Sequence, residues 1–467
     1  MDSADRTQQR TAAPDSVREN NGTTEIGLAA LLGVMFVGLA LRGAAIATIG
    51  DAESDPDGYV SIAVNLKQTG VFAAAGAKQP SAFRPPLYPV IGSFASRRRG
   101  TDPDTSTARV VFGWLMLANL LAFVAAGTWT AGLDEIIRPN STDGWVRASP
   151  LALFSLSPLG IAYTAQPMTE VVCGALLLAS LAGVLAMDER PSIGRAVFTG
   201  LMAALACLCR PTCFVTIAGW GGWLLWRVLQ RRKEPERDDR TPRHWTGIIV
   251  AAAVGLAVIA PWGLRNLKAF GRPIVTTTHG GYTLLLGNND AFYDEVVRQP
   301  WGTVWTGEQL AAWSDGLQAE MAAAGVEGEL ARDAYQKAKS RETITRRPGD
   351  FLRACVLRVV RFWNVVPQGP AAERLPAAAY WAVAVFYATA WGLAIAGVAV
   401  AWRHRMGAMV AVAIPPLAFT LVHAVYWSNA RMRLPVEPCV FLFAGLGAET
   451  VWRWTVGRFG VCEPGEP

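Results

Sequence analysis

The chain of 467 residues is poor in several things that soluble enzymes use freely. Only 17% of its residues are charged and only 4 are histidine, against the roughly 25% charged residues of an ordinary soluble domain. Its 7 cysteines are scattered, five of them (Cys173, Cys207, Cys209, Cys213 and Cys439) inside apolar stretches, so no disulfide framework and no zinc spacing emerges. No short internal repeat and no low-complexity tract is visible. These shortages exclude disordered, fibrous and ordinary cytosolic classes. What is present instead is 52% hydrophobic residues and 18 tryptophans. The net charge of +6 does not point to nucleic acid, because Lys and Arg fall between apolar runs instead of forming one basic face.

A membrane-spanning helix needs about 20 mostly apolar residues. Stretches of that kind run over about 26–49, 110–133, 148–165, 168–187, 195–209, 211–229, 245–263, 376–402, 407–427 and 435–452. The expectation is an all-α polytopic membrane protein with about ten transmembrane helices. Because 24 polar residues precede the first stretch, it reads as a retained anchor, not a cleaved signal. The Lys/Arg bias of the short loops places both termini in the cytoplasm of a cell (plasma) membrane protein. Two long connections then lie outside, 50–109 and 264–375, dividing the chain into a cytoplasmic tail (1–24), an N-terminal membrane module (25–263), an extracytoplasmic segment (264–375), C-terminal membrane helices (376–455) and a second tail (456–467). Arg97-Arg98-Arg99 is the outer exception and suits lipid headgroups. The Cys209-Arg210-Pro211 step reads as either a turn or a kink.

Both outer segments contain helical patterns. Asp55-Pro56 reads as an N-cap with Pro at the first helical position, and Tyr59, Ile62, Ala63 and Leu66 form one apolar stripe that suits a helix lying flat on the membrane. In the second segment, polar helices are expected near 307–324 and 329–345. An amphipathic stretch follows over 348–366, where Phe351, Leu352, Cys355, Val359, Phe362 and Trp363 alternate with Arg353, Arg358 and Arg361.

Chemistry concentrates in four clusters, each assigned to the outer face. The first, Asp51 to Tyr59, holds four acids; a carboxylate at the boundary can act as a general base, while Asp55 can equally serve as a cap. In the second, three prolines around Arg84 and Tyr88 (Phe83-Arg84-Pro85-Pro86-Leu87-Tyr88-Pro89) stiffen the backbone, and a rigid guanidinium suits phosphate. The third joins Pro261-Trp262 and Arg265-Asn266 to His279, Tyr282 and Asn288, readable as turns or as a sugar pocket. The fourth, Asn429 to Pro438, carries Arg431, Arg433 and Glu437 against the positive-inside bias, readable as an ion pair or as an anion site. Glu170, beside Tyr163, and Arg210 are further candidates of the same kind.

In order and spacing these elements resemble the GT-C superfamily of membrane glycosyltransferases, in particular the branch with protein O-mannosyltransferases and aminoarabinose transferases. The resemblance rests on Asp55-Pro56-Asp57-Gly58-Tyr59, Arg84-Pro85-Pro86-Leu87-Tyr88-Pro89, Pro261-Trp262 with Arg265-Asn266, Gly287-Asn288, and Arg431-Met432-Arg433-Leu434-Pro435, over about residues 26–455. It implies inverting transfer of a sugar from a polyprenyl-phosphate donor to a protein, lipid or glycan acceptor on the outer face. On that basis Asp55 and Asp57 are the catalytic candidates, with Arg84, Arg265, Arg431 and Arg433 on the donor phosphate and Tyr59, Tyr88, Glu170, His279, Asn288 and Glu437 around the substrate. No cofactor is expected, although Asp51, Glu53, Asp55 and Asp57 leave room for Mg2+ or Mn2+. The expected partners are the lipid-linked donor and membrane lipid, with no nucleic acid. The rival class is a transporter or flippase, which is disfavoured because charge at mid-depth is confined to Arg42 and Arg210 and no half-to-half similarity is visible.

Overall fold

The computed structural model describes residues 16–95, 103–139, 141, 144–231 and 241–459. Arg97-Arg98-Arg99, the start of the N-terminal tail, most of the loop around 231–243 and the end of the C-terminal tail lie outside the described residues. Among the described residues the structure is helical, with no strand.

Among the described residues, seven helical segments are long and apolar enough to cross a membrane: Leu28–Ile49, Thr107–Ile137, Glu170–Glu189, Pro242–Phe270, Ala377–Arg403, Gly407–Val425 and Ala430–Val456. They belong, in chain order, to α1 (Ser16–Ile49), α4 (Pro103–Ile137), α7 (Glu170–Glu189), α10 (Thr241–Phe270), α15 (Ala377–Arg403), α16 (Gly407–Val425) and α17 (Glu437–Phe459), the last preceded by a 3-10 turn over Ala430–Val436. The molecule is an all-α polytopic membrane protein. α15 and α17 pack at backbone distance: a Cβ on Gly397 would run into the Phe443 carbonyl, and one on Gly447 into that of Leu393. Small residues drive such packing where lipid offers no hydrophobic incentive.

Of the remaining expected spans, 148–165 is broken, Ile193–Cys209 is shorter, and Cys213–Arg231 is as long as Gly407–Val425 but less apolar. The stretch 148–165 divides into α5 (Ser149–Leu156) and α6 (Pro158–Thr164). Pro158 has no N–H to donate and pushes Ser157 out of the helical region; the Ser157 hydroxyl then caps α6 by accepting from Gly160 N at 3.0 Å. Cys209-Arg210-Pro211 is a turn, with Arg210 extended between α8 (Ile193–Cys209) and α9 (Cys213–Arg231).

Ion pairs fix how these helices run. α7 has a carboxylate at each end, Glu170 and Asp188. Arg210 meets Glu170 at 2.8 Å, and Arg227 and Arg231 meet Asp188 at 2.8 and 3.0 Å. α9 therefore traverses the whole length of α7, about 30 Å for 20 residues, with the 210 turn at the Glu170 end.

The same end carries the two long connections. In the first, α2 (Tyr59–Thr69) starts later than expected, after a left-handed Gly58. Its apolar stripe faces the protein, not a membrane: Tyr59, Ile62 and Ala63 are buried, in part against Tyr88, Val111 and Leu115 of the main core. α3 (Leu87–Ser93) follows the proline-rich turn. The second connection holds α11 (Gly280–Gly287), α12 (Gly307–Ala323), α13 (Glu329–Arg346) and α14 (Pro348–Phe362). Thr306 and Gln309 form a capping box at the head of α12. On α14, Leu352, Val356 and Val360 are an exposed stripe, consistent with an interfacial helix. Arg358 and Arg361, expected among its outward charges, are instead buried, Arg358 donating to the Ala424 and Gly287 carbonyls at 2.7 and 2.5 Å.

Candidate active site

One residue from each of the four sequence clusters enters a single charged constellation. Asp57 accepts from Arg84 at 3.2 Å on one oxygen and from Arg431 at 3.1 Å on the other. Arg431 also reaches Glu170 at 3.3 Å, and Glu170 pairs with Arg210. Arg84 donates to His279 Nε2 at 3.2 Å. The prolines after Arg84 hold its backbone, while its guanidinium lies over the Phe83 and Tyr59 rings, 5.3 and 5.7 Å from their centroids. Arg431 is presented by the 3-10 turn, Glu170 by the first residue of α7, and Arg210 by the extended step before Pro211.

The constellation is largely shielded from solvent. The Asp57, Arg84, Arg210 and Arg431 side chains are 18%, 17%, 12% and 16% exposed and that of Glu170 only 1%. Burial alone would raise the Asp57 carboxyl; Arg431 and Arg84 outweigh it and hold the group below its usual range. Burial and the adjacent Arg84 push His279 down to about 3, so its imidazole is neutral and Nε2 is free to accept. Three guanidiniums thus face two carboxylates and a neutral ring, leaving one positive charge in excess. Two of the guanidiniums spend donors on thioethers: Arg431 on Met168 Sδ at 2.9 Å and Arg210 on Met432 Sδ at 3.0 Å. Sulfur is a weak acceptor, so an anionic oxygen would be a better partner for either.

Asp55 stands apart. Its two oxygens accept from Val60 N at 3.1 Å and Ser61 N at 2.8 Å, so the carboxylate caps α2 across the Asp55–Gly58 turn. Tyr59 and Tyr88 meet edge to face, and the Tyr88 hydroxyl donates to Asn119. Asn288 is tied to Leu284, Val425, Tyr293 and Arg358, away from the charged constellation. Arg433 and Glu437, both 1% exposed, pair at 2.9 Å. Arg433 also donates to the Phe362 and Asn364 carbonyls, and Ser157 donates to Glu437. This buried pair anchors the turn that carries Arg431. Arg265 gives its donors to the Ser81 and Phe72 carbonyls and to Asn266.

Arg265 also lines an apolar cavity of about 500 Å³ with Phe72, Pro86, Leu208, Val258 and Trp262. Pro86 and Leu208 are each two residues from an arginine of the constellation. Asp51, Glu53, Asp55 and Asp57 diverge: Asp51 accepts from Glu53 N, Glu53 is exposed beside Arg109, Asp55 caps, and Asp57 binds arginine. Among the described residues no group of three or more His, Cys, Asp or Glu side chains converges as a metal site would require. Met168 and Met432 went unnoticed in the sequence; their only signal was position, two residues before Glu170 and between Arg431 and Arg433.

No family model matches the chain, and no curated protein matches its sequence. Solved structures do. The oligosaccharyltransferase AglB of Archaeoglobus fulgidus, in complex with an inhibitory peptide and a dolichol-phosphate, superposes with a TM-score of 0.51 at 13% identity, over 94% of this chain and 52% of that one. ArnT of Cupriavidus metallidurans bound to undecaprenyl phosphate gives 0.36 at 17% identity, over 93% and 79%. The chain spans about half the length of AglB, and over that half it shares the fold of that protein.

Proposed function

We propose that this protein is an integral membrane glycosyltransferase that moves a sugar from a polyprenyl-phosphate donor to an acceptor hydroxyl on the extracytoplasmic face, with inversion at the anomeric carbon. The observation that carries this reading is a cation-rich constellation together with an apolar cavity, two of whose wall residues, Pro86 and Leu208, lie two positions along the chain from Arg84 and Arg210. A ligand suited to both is an amphiphile with an anionic head. A phosphodiester carries one negative charge and balances the one positive charge in excess.

In this reading Arg84 and Arg431 hold the phosphate and stabilise the charge that grows on it as the glycosidic C–O bond breaks. Preorganised donors of this kind contribute about 3–4 kcal/mol each. Arg210 supports them through Glu170. Asp57 fixes the two guanidiniums, His279 orients Arg84, and Tyr59 closes one side. Arg265 keeps the cavity mouth in shape, while Arg433, Glu437, Asn288 and Tyr88 hold the scaffold. Transfer without a metal is part of the proposal. The fold shared with AglB, a protein solved with dolichol-phosphate, supports the donor class.

The test is transfer from a panel of radiolabelled polyprenyl-phosphate hexoses and pentoses to washed cell envelopes by the purified protein in nanodiscs, with and without a chelator. Label moving from lipid to envelope material supports the reading. Intact donors, together with translocation of a lipid-linked sugar across proteoliposomes, would replace it with the flippase alternative.

A further inference from the structure

Asp57 and Glu170 lie in the constellation and Asp55 stands apart from it, and the oxygens of the three carboxylates are spent differently. Asp55 has both on backbone amides and Asp57 has both on guanidiniums. Glu170 uses only Oε1, which takes Arg210 at 2.8 Å and Arg431 at 3.3 Å. Its Oε2 is buried and has no hydrogen-bond partner, on a side chain 1% exposed. A buried carboxylate oxygen without a donor is costly, and a ligand hydroxyl is the donor that such a site accommodates. The position suits that use. Arg210 and Arg431 fix the Oε1 edge of the carboxylate, so Oε2 is held in place without being consumed.

Resting on the proposed transferase reading, we infer that Glu170, and not an aspartate of the first long connection, is the catalytic base that receives the acceptor hydroxyl. The hydroxyl proton passes to Glu170 Oε2 while the acceptor oxygen forms its bond to the anomeric carbon. The bond from that carbon to the phosphate oxygen breaks, and its electron pair leaves with the polyprenyl phosphate. Arg84 and Arg431 take up the added negative charge. The proton on Glu170 then returns to solvent.

The experiment uses the full chain in nanodiscs with the lipid-linked sugar panel and envelope acceptor. Glu170→Gln keeps the shape of the side chain and an oxygen for Arg210 but removes the proton acceptor. The expected result is a fall in transfer of a hundredfold or more, with polyprenyl-phosphate retention within threefold of wild type. Glu170→Asp, which keeps the carboxylate, should recover part of the rate. Transfer by Glu170→Gln at more than a tenth of the wild-type rate overturns the inference. So does equal loss in both variants accompanied by loss of lipid retention, which marks a structural role. If the wild-type protein moves no sugar, the transferase reading itself fails and the inference falls with it.

Discussion

Glu170 and Arg210 meet at 2.8 Å, although the chain between them runs down α7 and back up α8. The contact closes the top of a three-helix unit, because Arg227 and Arg231 of α9 close the bottom on Asp188. Buried pairs of this kind add little stability as pairs but are costly to break from one side, about 3–5 kcal/mol, since the survivor stays buried without compensation. Arg210→Ala should therefore lower the thermal unfolding midpoint of the detergent-purified protein more than Arg227→Ala does, since Glu170, 1% exposed, keeps only the longer 3.3 Å contact with Arg431, whereas Asp188, 12% exposed, keeps Arg231 at 3.0 Å. Equal midpoints for the two variants would refute the asymmetry.

Asp55 gives a contrasting expectation. Its carboxylate satisfies two amides at the head of α2, a role worth about 1 kcal/mol. Asp55→Asn retains an acceptor oxygen and should keep transfer within tenfold of wild type. Asp55→Ala should cost stability, read as a lower unfolding midpoint. A hundredfold loss in Asp55→Asn at unchanged stability would return Asp55 to the role of base.

The sequence made the long spans and the existence of polar outer helices legible, because apolar length and helical period are local properties. Ala377–Arg403 and Gly407–Val425 fall almost where the apolar runs end. What it could not settle was which partner each charged group chooses. Asp55 and Asp57 are two residues apart and chemically alike, yet one caps a helix and the other joins two arginines drawn from sites 27 and 374 residues away. Arg431 and Arg433 differ in the same way, since alternate positions on a tight turn face opposite environments. The apolar stripe on α2 is buried against protein and not laid on lipid, a distinction that hydrophobicity alone does not make.

Arg84 links Asp57 to His279, and its removal should act on both. Without it, Asp57 loses one of the cations that hold its carboxyl below the ordinary value of about 3.9, so the carboxyl protonates at higher pH. Arg84→Ala should weaken polyprenyl-phosphate binding at least tenfold and lower transfer by about a hundredfold or more. Stability from a carboxylate with a depressed pKa is present above its unfolded value and disappears as pH falls through the folded one. Arg84→Ala narrows the gap between the folded and unfolded values, so the unfolding midpoint of the variant should fall less steeply than that of wild type as pH drops below about 5, measured by thermal unfolding between pH 3 and 7.

His279 sets a pH dependence of its own. Its imidazole stays neutral down to about 3 in the folded protein, against an unfolded value of about 6.5. Between those limits the unfolded chain binds a proton that the folded one refuses, so the contribution is intact above about 6.5 and declines as pH falls toward 3. His279→Asn removes this dependence. The unfolding midpoint of the variant should fall less than that of wild type between pH 6.5 and 4, and parallel curves would show that the ring does not titrate as argued.

The cavity beside Arg265 is open to a steric test that leaves the charges untouched. Val258 faces it from α10, and Leu208 from the end of α8. Replacing Val258 with Trp adds bulk to the wall without removing any donor from the Asp57–Arg84–Arg431 constellation. If the isoprenoid tail lies there, the variant should bind long-chain polyprenyl phosphate at least tenfold more weakly. Its turnover at saturating donor should be close to normal, since uniform binding contributes to KM and not to kcat. Donor length provides the control: a sugar phosphate carrying a tail too short to reach the cavity should be used equally by wild type and Val258→Trp. A variant that discriminates against both donors alike would place the defect in the fold of α10 and not in the lipid site, because a filled wall can penalise only a tail that reaches it.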